Sequence, residues 1–299
     1  MAGSPRIMRL TNDFVFTATF GEAEHPERVE GMLEAFLESD IHVDKLVTHL
    51  QLEPDMPDDK YGVVDILATL ENGDLAQIEM QVYWFRFMPE RELFYASDLI
   101  YKQLKSGQPY DKLHRVILIC IVMHDYVPSI SDRFHTDFML REKNQPDVVF
   151  SDKLQIKILD LRKFLKQYPW AADKSYVPDL PTLNAMGLEA QWMLLLITES
   201  KEVREMLGHI SPPFDSAVRK VAALEASPDA WERYSYREKA ARDLDAMRRD
   251  SEALGFERGS YQNARMVAQK MIARNKPLDE IMDFSGLPLD EINQLMAGK

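Results

Sequence analysis

The sequence holds a single cysteine, Cys120, so no disulfide framework is open to it. That cysteine lies in the run Val116-Ile117-Leu118-Ile119-Cys120-Ile121-Val122 and reads as an inert core residue. No apolar run approaches the length of a membrane span, and the first residues lack the pattern of a signal peptide. These absences set the expectation of a cytoplasmic protein with no membrane partner. Positive charge is also short, and the formal net charge is −13. That argues against a general basic nucleic-acid binder, but leaves room for an enzyme that reaches nucleic acid through a local basic patch and a metal ion. No two histidines have the His-Glu-x-x-His spacing, and there is neither a phosphate-binding glycine loop nor a nucleophile elbow. His114 and His124 bracket the apolar run and read as structural or exposed.

What is present is apolar. Hydrophobic residues make up 45% of 299, enough to build one large core or two smaller ones. The chain is organised around two strand-like segments, Val63 to Ala68 and Gln77 to Gln81, that flank Asn72-Gly73, a strong hairpin signal. Each carries an acid where an ordinary strand would need none. The pairing register follows from alternation. A strict two-residue Asn72-Gly73 loop would oppose Asp65 to Met80 and mix apolar with polar on both faces. An odd offset, with a three-residue loop and Gly73 left-handed, sorts the faces. Val64, Ile66, Ala68 and Leu70 then side with Ala76, Ile78, Met80 and Val82. Asp65 sides with Gln77, Glu79 and Gln81.

Along the chain, Thr11-Asn12-Asp13 can cap a helix beginning near Phe14, and a second helix covers about Pro26 to Ser39. Leu46 to Glu53 alternates like a strand, and Pro54 to Lys60 reads as a loop. After the hairpin, Leu93, Ala96, Ile100, Tyr101 and Leu104 recur at helical spacing, so a helix over Pro89 to Lys105 is expected, with Gly107 to end it. The run 116–122 reads as a fully buried strand and Leu154 to Leu161 as another. The order is then helices, three strands, a helix and two strands, and the helix between strands implies a crossover in a mixed sheet. From about Pro181 on, only helices are expected: an apolar one over Leu188 to Ser200, others punctuated by Pro212-Pro213 and Ser227-Pro228, a charged heptad-like stretch over Tyr234 to Leu254, and short helices after Asn275-Lys276-Pro277.

Asp65 and Glu79 on one face could hold Mg²⁺ or Mn²⁺ with several waters. On chemistry alone, the same pair also reads as a half-exposed sheet face whose acids are merely solvated. A wider set of residues favours the first reading. The order Asn12-Asp13-Phe14-Val15-Phe16 … Phe20-Gly21, Val64-Asp65-Ile66, Ile78-Glu79-Met80-Gln81, Arg91 … Tyr95 … Gln103-Leu104 … Gly107 resembles the PD-(D/E)XK nuclease family transposases, also called recombination-promoting nucleases. The stretch Met271-Ile272 … Ser285-Gly286-Leu287-Pro288-Leu289-Asp290-Glu291-Ile292 is similar to that family's helical tail. The resemblance covers the first 170 residues or so well and the tail moderately.

It implies an α/β fold, a restriction-endonuclease-like mixed sheet flanked by helices, followed by an all-helical C-terminal region. The expected division is a nuclease-like domain over 1–170, a helical region over 171–255 and a tail over 256–299. The implied activity is Mg²⁺-dependent cleavage of DNA, with Asp65 and Glu79 as metal ligands. Gln81 falls where the wider superfamily has a lysine that orients the attacking water. Asp13 matches an acid of the first helix. Thr17 stands where the family often has lysine, so no basic residue occupies either expected place. Arg91 or Lys102 on the following helix could supply the charge. Tyr95, Gln103 and Tyr110 could position DNA or pack that helix, and packing is the expectation for the tyrosines. The rival implication is a weakened member that serves as a DNA-binding or protein-interaction module. The tail lacks a basic recognition face and suits packing or self-association, as in a homodimer.

Overall fold

The computed structural model describes residues 6–52, 62–82, 87–123 and 132–297. The expected loop over Pro54 to Lys60 and His124 lie outside the described residues. The described chain divides into two compact units, Met1–Glu238 and Lys239–Lys299.

The first unit opens with helices α1 (Asp13–Phe20) and α2 (Glu27–Leu37). Asn12 caps α1, its side-chain oxygen accepting the Phe14 N–H at 3.2 Å. Three strands follow, β1 (Val43–Leu52), β2 (Gly62–Leu70) and β3 (Leu75–Gln81), then helix α3 (Met88–Tyr101) and strand β4 (Val116–Val122). Strands β5 (His135–Arg141) and β6 (Val149–Asp160) complete a six-stranded sheet in the order β1-β2-β3-β4-β6-β5. β1, β2 and β3 pair antiparallel. β3, β4 and β6 pair parallel, and β5 runs antiparallel on the edge. The sheet is therefore mixed, as the crossover helix α3 requires.

Two departures from the sequence reading concern this region. β5 was not anticipated, because none of its residues is fully buried and its apolar and polar positions do not separate cleanly. Helix α3 stops at Tyr101 rather than Lys105. Lys102 takes the cap, donating its N–H to the Asp98 carbonyl at 3.0 Å, and Gly107 lies beyond the helix in a left-handed turn.

One sheet face carries Ile66, Ala68, Ala76, Ile78, Met80, Ile117, Ile119 and Ile121 into the main core. The partners there are Phe16 and Phe20 of α1, Phe36 of α2, and the later helices α4 (Leu161–Gln167), α6 (Leu188–Ile197), α7 (Lys201–Gly208) and α8 (Pro212–Glu225). α5 (Leu180–Ala185) adds Leu183 to this core. Trp192 of α6 stacks on Phe214 of α8, ring centroids 4.0 Å apart. Ala190 through Leu196 of α6 are all buried, so this stretch has no solvent face, which is the expected state of a helix hydrophobic all round. The opposite sheet face is covered more thinly, by α3, whose Ala96 and Leu99 pack on Val64, Leu67 and Val116.

Helix α9 (Pro228–Ala273) begins in the first unit and enters the second. There, Ala268 and Ile272 pack with Ile281 of α10 (Leu278–Ser285), Leu287, and Ile292 of α11 (Leu289–Ala297). Gly286 caps α10 at φ 68°, a left-handed position suited to glycine. Among the described residues, no helix is long and apolar enough to cross a membrane.

Candidate active site

The site grows out of the β2–β3 hairpin. Its loop is Glu71-Asn72-Gly73: Leu70 N–H donates to the Asp74 carbonyl and Gly73 N–H to the Leu70 carbonyl, both at 2.8 Å. Gly73 is left-handed at φ 87°. The ladder runs Thr69 opposite Leu75, Ala68 opposite Ala76, Leu67 opposite Gln77 and Ile66 opposite Ile78. The odd offset and three-residue loop expected from alternation are thus the ones observed. Asp74 anchors the turn to the chain entering β4, accepting from the Arg115 backbone N–H at 2.8 Å and from its Nε at 2.7 Å.

This register brings Asp65 opposite Glu79, one step beyond the last ladder pair, Ile66 and Ile78. From here β2 continues with β1 and β3 continues with β4. Where the two strands part, each acid takes over a backbone donor of the other strand. Met80 N–H donates to Asp65 Oδ2 at 3.1 Å, and Asp65 N–H donates to Glu79 Oε1 at 3.4 Å. Glu79 is 3% exposed. Its neighbours on the same face clamp it, Gln77 Nε2 donating to Oε1 at 3.0 Å and Gln81 Nε2 to Oε2 at 3.2 Å. Gln77 is fully buried and its Oε1 has no hydrogen-bond partner among the described residues.

The electrostatics follow from burial and from like charge. Burial, and then the charge of Asp65, push Glu79 up to about 8. Burial also raises Asp65, and the nearby charge of Asp13 adds to it. The Met80 hydrogen bond, with nearby His49 and Arg91, opposes the rise. Two carboxylates in one water-poor notch repel each other, and a divalent cation relieves that repulsion. Hard oxygen donors of this kind suit a divalent cation. Among the described residues no cluster of three or more ligand-type side chains forms.

The other residues singled out from sequence separate into two groups. Arg91, on the first turns of α3, lies near both carboxylates and favours their ionised forms. Its guanidinium sits over the Tyr95 ring, 5.8 Å from the centroid. Asp13, at the start of α1, is close enough to act on Asp65 and pairs with Arg237 at 3.3 Å. Lys102 is not brought to the notch. It lies eleven residues beyond Arg91, on the order of 16 Å along a helix, and pairs with Asp98 at 3.0 Å. Gln103 is structural, its Oε1 accepting the His114 backbone N–H at 2.8 Å. Tyr95 packs beneath α3, but Tyr110 does not pack as expected and is 88% exposed.

Sequence reasoning missed two residues. The buried stripe of α3 is Met88, Glu92, Ala96 and Leu99, whereas Leu93 is 48% and Tyr101 72% exposed. The helix is turned by one position from the expected stripe, so Glu92 faces the sheet beside Cys120, the residue paired with Glu79 on β4. Burial and then Glu92 drive the Cys120 thiol well above its ordinary range, which keeps it inert. The spacing 92, 96, 99 was a signal in hand, since an acid sat on an otherwise apolar stripe. His49, on β1 opposite Asp65, is the second. It holds φ 50°, a left-handed conformation uncommon for a non-glycine residue inside a strand, and nothing in its sequence neighbourhood marks it.

A family model described as PD-(D/E)XK nuclease family transposase matches residues 10–250. No curated protein and no solved structure matches the chain.

Proposed function

The chain belongs to the PD-(D/E)XK nuclease family transposases, and from that premise we propose that it is a metal-dependent DNA endonuclease that hydrolyses phosphodiester bonds. The observation that carries the reading is the meeting of Asp65 and Glu79 across the parting strands, with Glu79 pushed up to about 8 by burial and by its neighbour. An arrangement held at such a cost to ionisation is what a cation site needs and what a solvated sheet face does not.

Asp65 and Glu79 would hold Mg²⁺ or Mn²⁺. When bound, such an ion stabilises charge on the phosphate and lowers the pKa of a coordinated water. The chain's own residues do the rest. The Gln77 and Gln81 amides fix the Glu79 carboxylate in one orientation, and the Met80 N–H fixes Asp65. Arg91 contributes the positive charge that Gln81 and Thr17 do not, from a neighbouring helix rather than from the strand. Asp13 adds negative charge beside Asp65, which strengthens the attraction for a cation.

A second reading, a DNA-binding or protein-interaction module without cleavage, draws on the engagement of Gln81 with Glu79 in the place of a free lysine. Nicking of supercoiled plasmid separates the two. Wild type should nick with Mg²⁺ and not with EDTA, and Asp65→Asn, which keeps size and shape, should lose the activity while melting as a folded protein. Equal behaviour of wild type and variant would sink the nuclease reading.

A further inference from the structure

Beside the notch lies a cleft that the carboxylates do not use. It has a volume of about 360 Å³ and opens between α1 and β1, with Phe14, Thr17, Glu22, His49, Lys220 and Arg233 on its walls. His49 of the cleft wall is also close enough to act on Asp65, so the cleft adjoins the notch through one residue.

Its charge runs against the chain's average. The single carboxylate on its wall, Glu22, is shared by two cations, Lys220 Nζ at 2.7 Å and Arg28 Nη1 at 2.6 Å. Arg233 has no acidic partner among the described residues. Its guanidinium lies over the Phe14 ring, 6.0 Å from the centroid. An aromatic face orients the planar guanidinium without neutralising it, which leaves its donors and its charge available. One turn on, about 6 Å along α9, Arg237 reaches Asp13. Thr17 brings a buried hydroxyl that has no hydrogen-bond partner among the described residues. A chain of net charge −13 repels a polyanion on average, so a polyanion must be drawn in through a local surplus of this kind.

We propose that the cleft between α1 and β1 seats a backbone phosphate of the nucleic acid, with Arg233, held over Phe14, as its principal contact. The inference rests on the nuclease reading for the identity of the polyanion and extends it by naming where the strand is gripped. A guanidinium with free paired donors suits phosphate geometry, and the volume admits a phosphate with its waters. A phosphate held there positions the strand and carries no sequence information, so its loss should weaken binding alike on any sequence. Arg233 is a positioning residue and touches no reacting atom.

The test measures fluorescence anisotropy of two labelled duplexes of unrelated sequence against salt, in EDTA, alongside plasmid nicking in Mg²⁺ by the same preparations. The proteins are wild type, Arg233→Ala, Arg233→Lys, and Arg219→Ala, an exposed α8 cation outside the cleft. Arg233→Ala should make the slope of log affinity against log salt shallower by about 1 on both duplexes, the loss of one phosphate contact. Arg233→Lys should keep most of the slope, Arg219→Ala should keep all of it, and melting temperatures should match. The proposal is overturned if Arg233→Ala retains the wild-type slope and affinity, if Arg219→Ala shifts them equally, or if wild type does not bind the duplexes. If the slope depends on Arg233 but no nicking depends on Asp65, the phosphate site stands and the nuclease reading falls. If nicking depends on Asp65 while Arg233→Ala binds and nicks as wild type, the reverse holds.

Discussion

Glu79→Gln should stabilise the metal-free protein at neutral pH and remove its response to Mg²⁺. The carboxyl is held at about 8 against an ordinary value of 4.5, so the folded protein binds this proton more tightly than the unfolded chain does. Its contribution to stability is intact below pH 4.5 and is lost progressively as pH rises through 8. At pH 7 the shortfall spans about 2.5 pH units, which at 1.36 kcal/mol per unit is about 3 kcal/mol. The introduced amide carries no charge to desolvate. For a unit of this size, 3 kcal/mol corresponds to roughly 6–12 °C in melting temperature. Thermal melts in EDTA at pH 5, 6, 7 and 8 would check this. The variant should gain on wild type steadily as pH rises, and the two should converge near pH 4.5. Added Mg²⁺ should raise the wild-type melting temperature at pH 7 and leave the variant's unchanged. The reasoning fails if the difference between the two proteins is the same at pH 5 and pH 8, or if the variant is the less stable at pH 8.

Two further outcomes are expected. Gly73→Ala should cost about 2 kcal/mol or more in a denaturant titration, because φ is 87° and a Cβ there would lie 2.4 Å from His114 Cε1; adding His114→Ala should remove the clash and leave the backbone penalty of about 1 kcal/mol. His135 pairs with Asp137 of its own strand β5, at 3.1 Å, and with Glu189 of α6. Burial lowers its pKa, but these hydrogen bonds and charges prevail and raise it to about 9, so its stabilisation is present below pH 6.5 and lost as pH rises through 9; His135→Gln should be less stable than wild type at pH 6 and approach it above pH 9, and a constant gap across that range would refute the assignment.

Much of the fold and the centre of the site were legible in the residues. The hairpin register is a matter of parity: side chains alternate, one face must be apolar, and only an odd offset puts Ile66 and Ala68 with Ala76, Ile78 and Met80; Val64, expected on that same face, instead packs on the opposite one against Ala96 and Leu99 of α3, beyond the point where β2 and β3 part. The same parity put Asp65, Glu79 and Gln81 together. The run 116–122 is apolar at every position, and β4 occupies those residues and is wholly buried. The edge strand β5 escaped because its neighbours bury only part of it, so selection for alternation is weak.

What only the tertiary structure decided is how the other elements are turned toward that hairpin. Sequence spacing defined a helix over α3 but not its rotation, since two overlapping stripes were available. Contact with the sheet chose the one with Glu92 inward and Leu93 outward. The cations around the notch and the cleft beside it come from α3, α8 and α9, and Arg233 and Arg237 lie about 170 residues beyond Asp65 in the chain. Local alternation depends on neighbours one or two residues away, and so a sequence displays it. The convergence of distant charges depends on how helices pack across a shared core, and no local pattern records that.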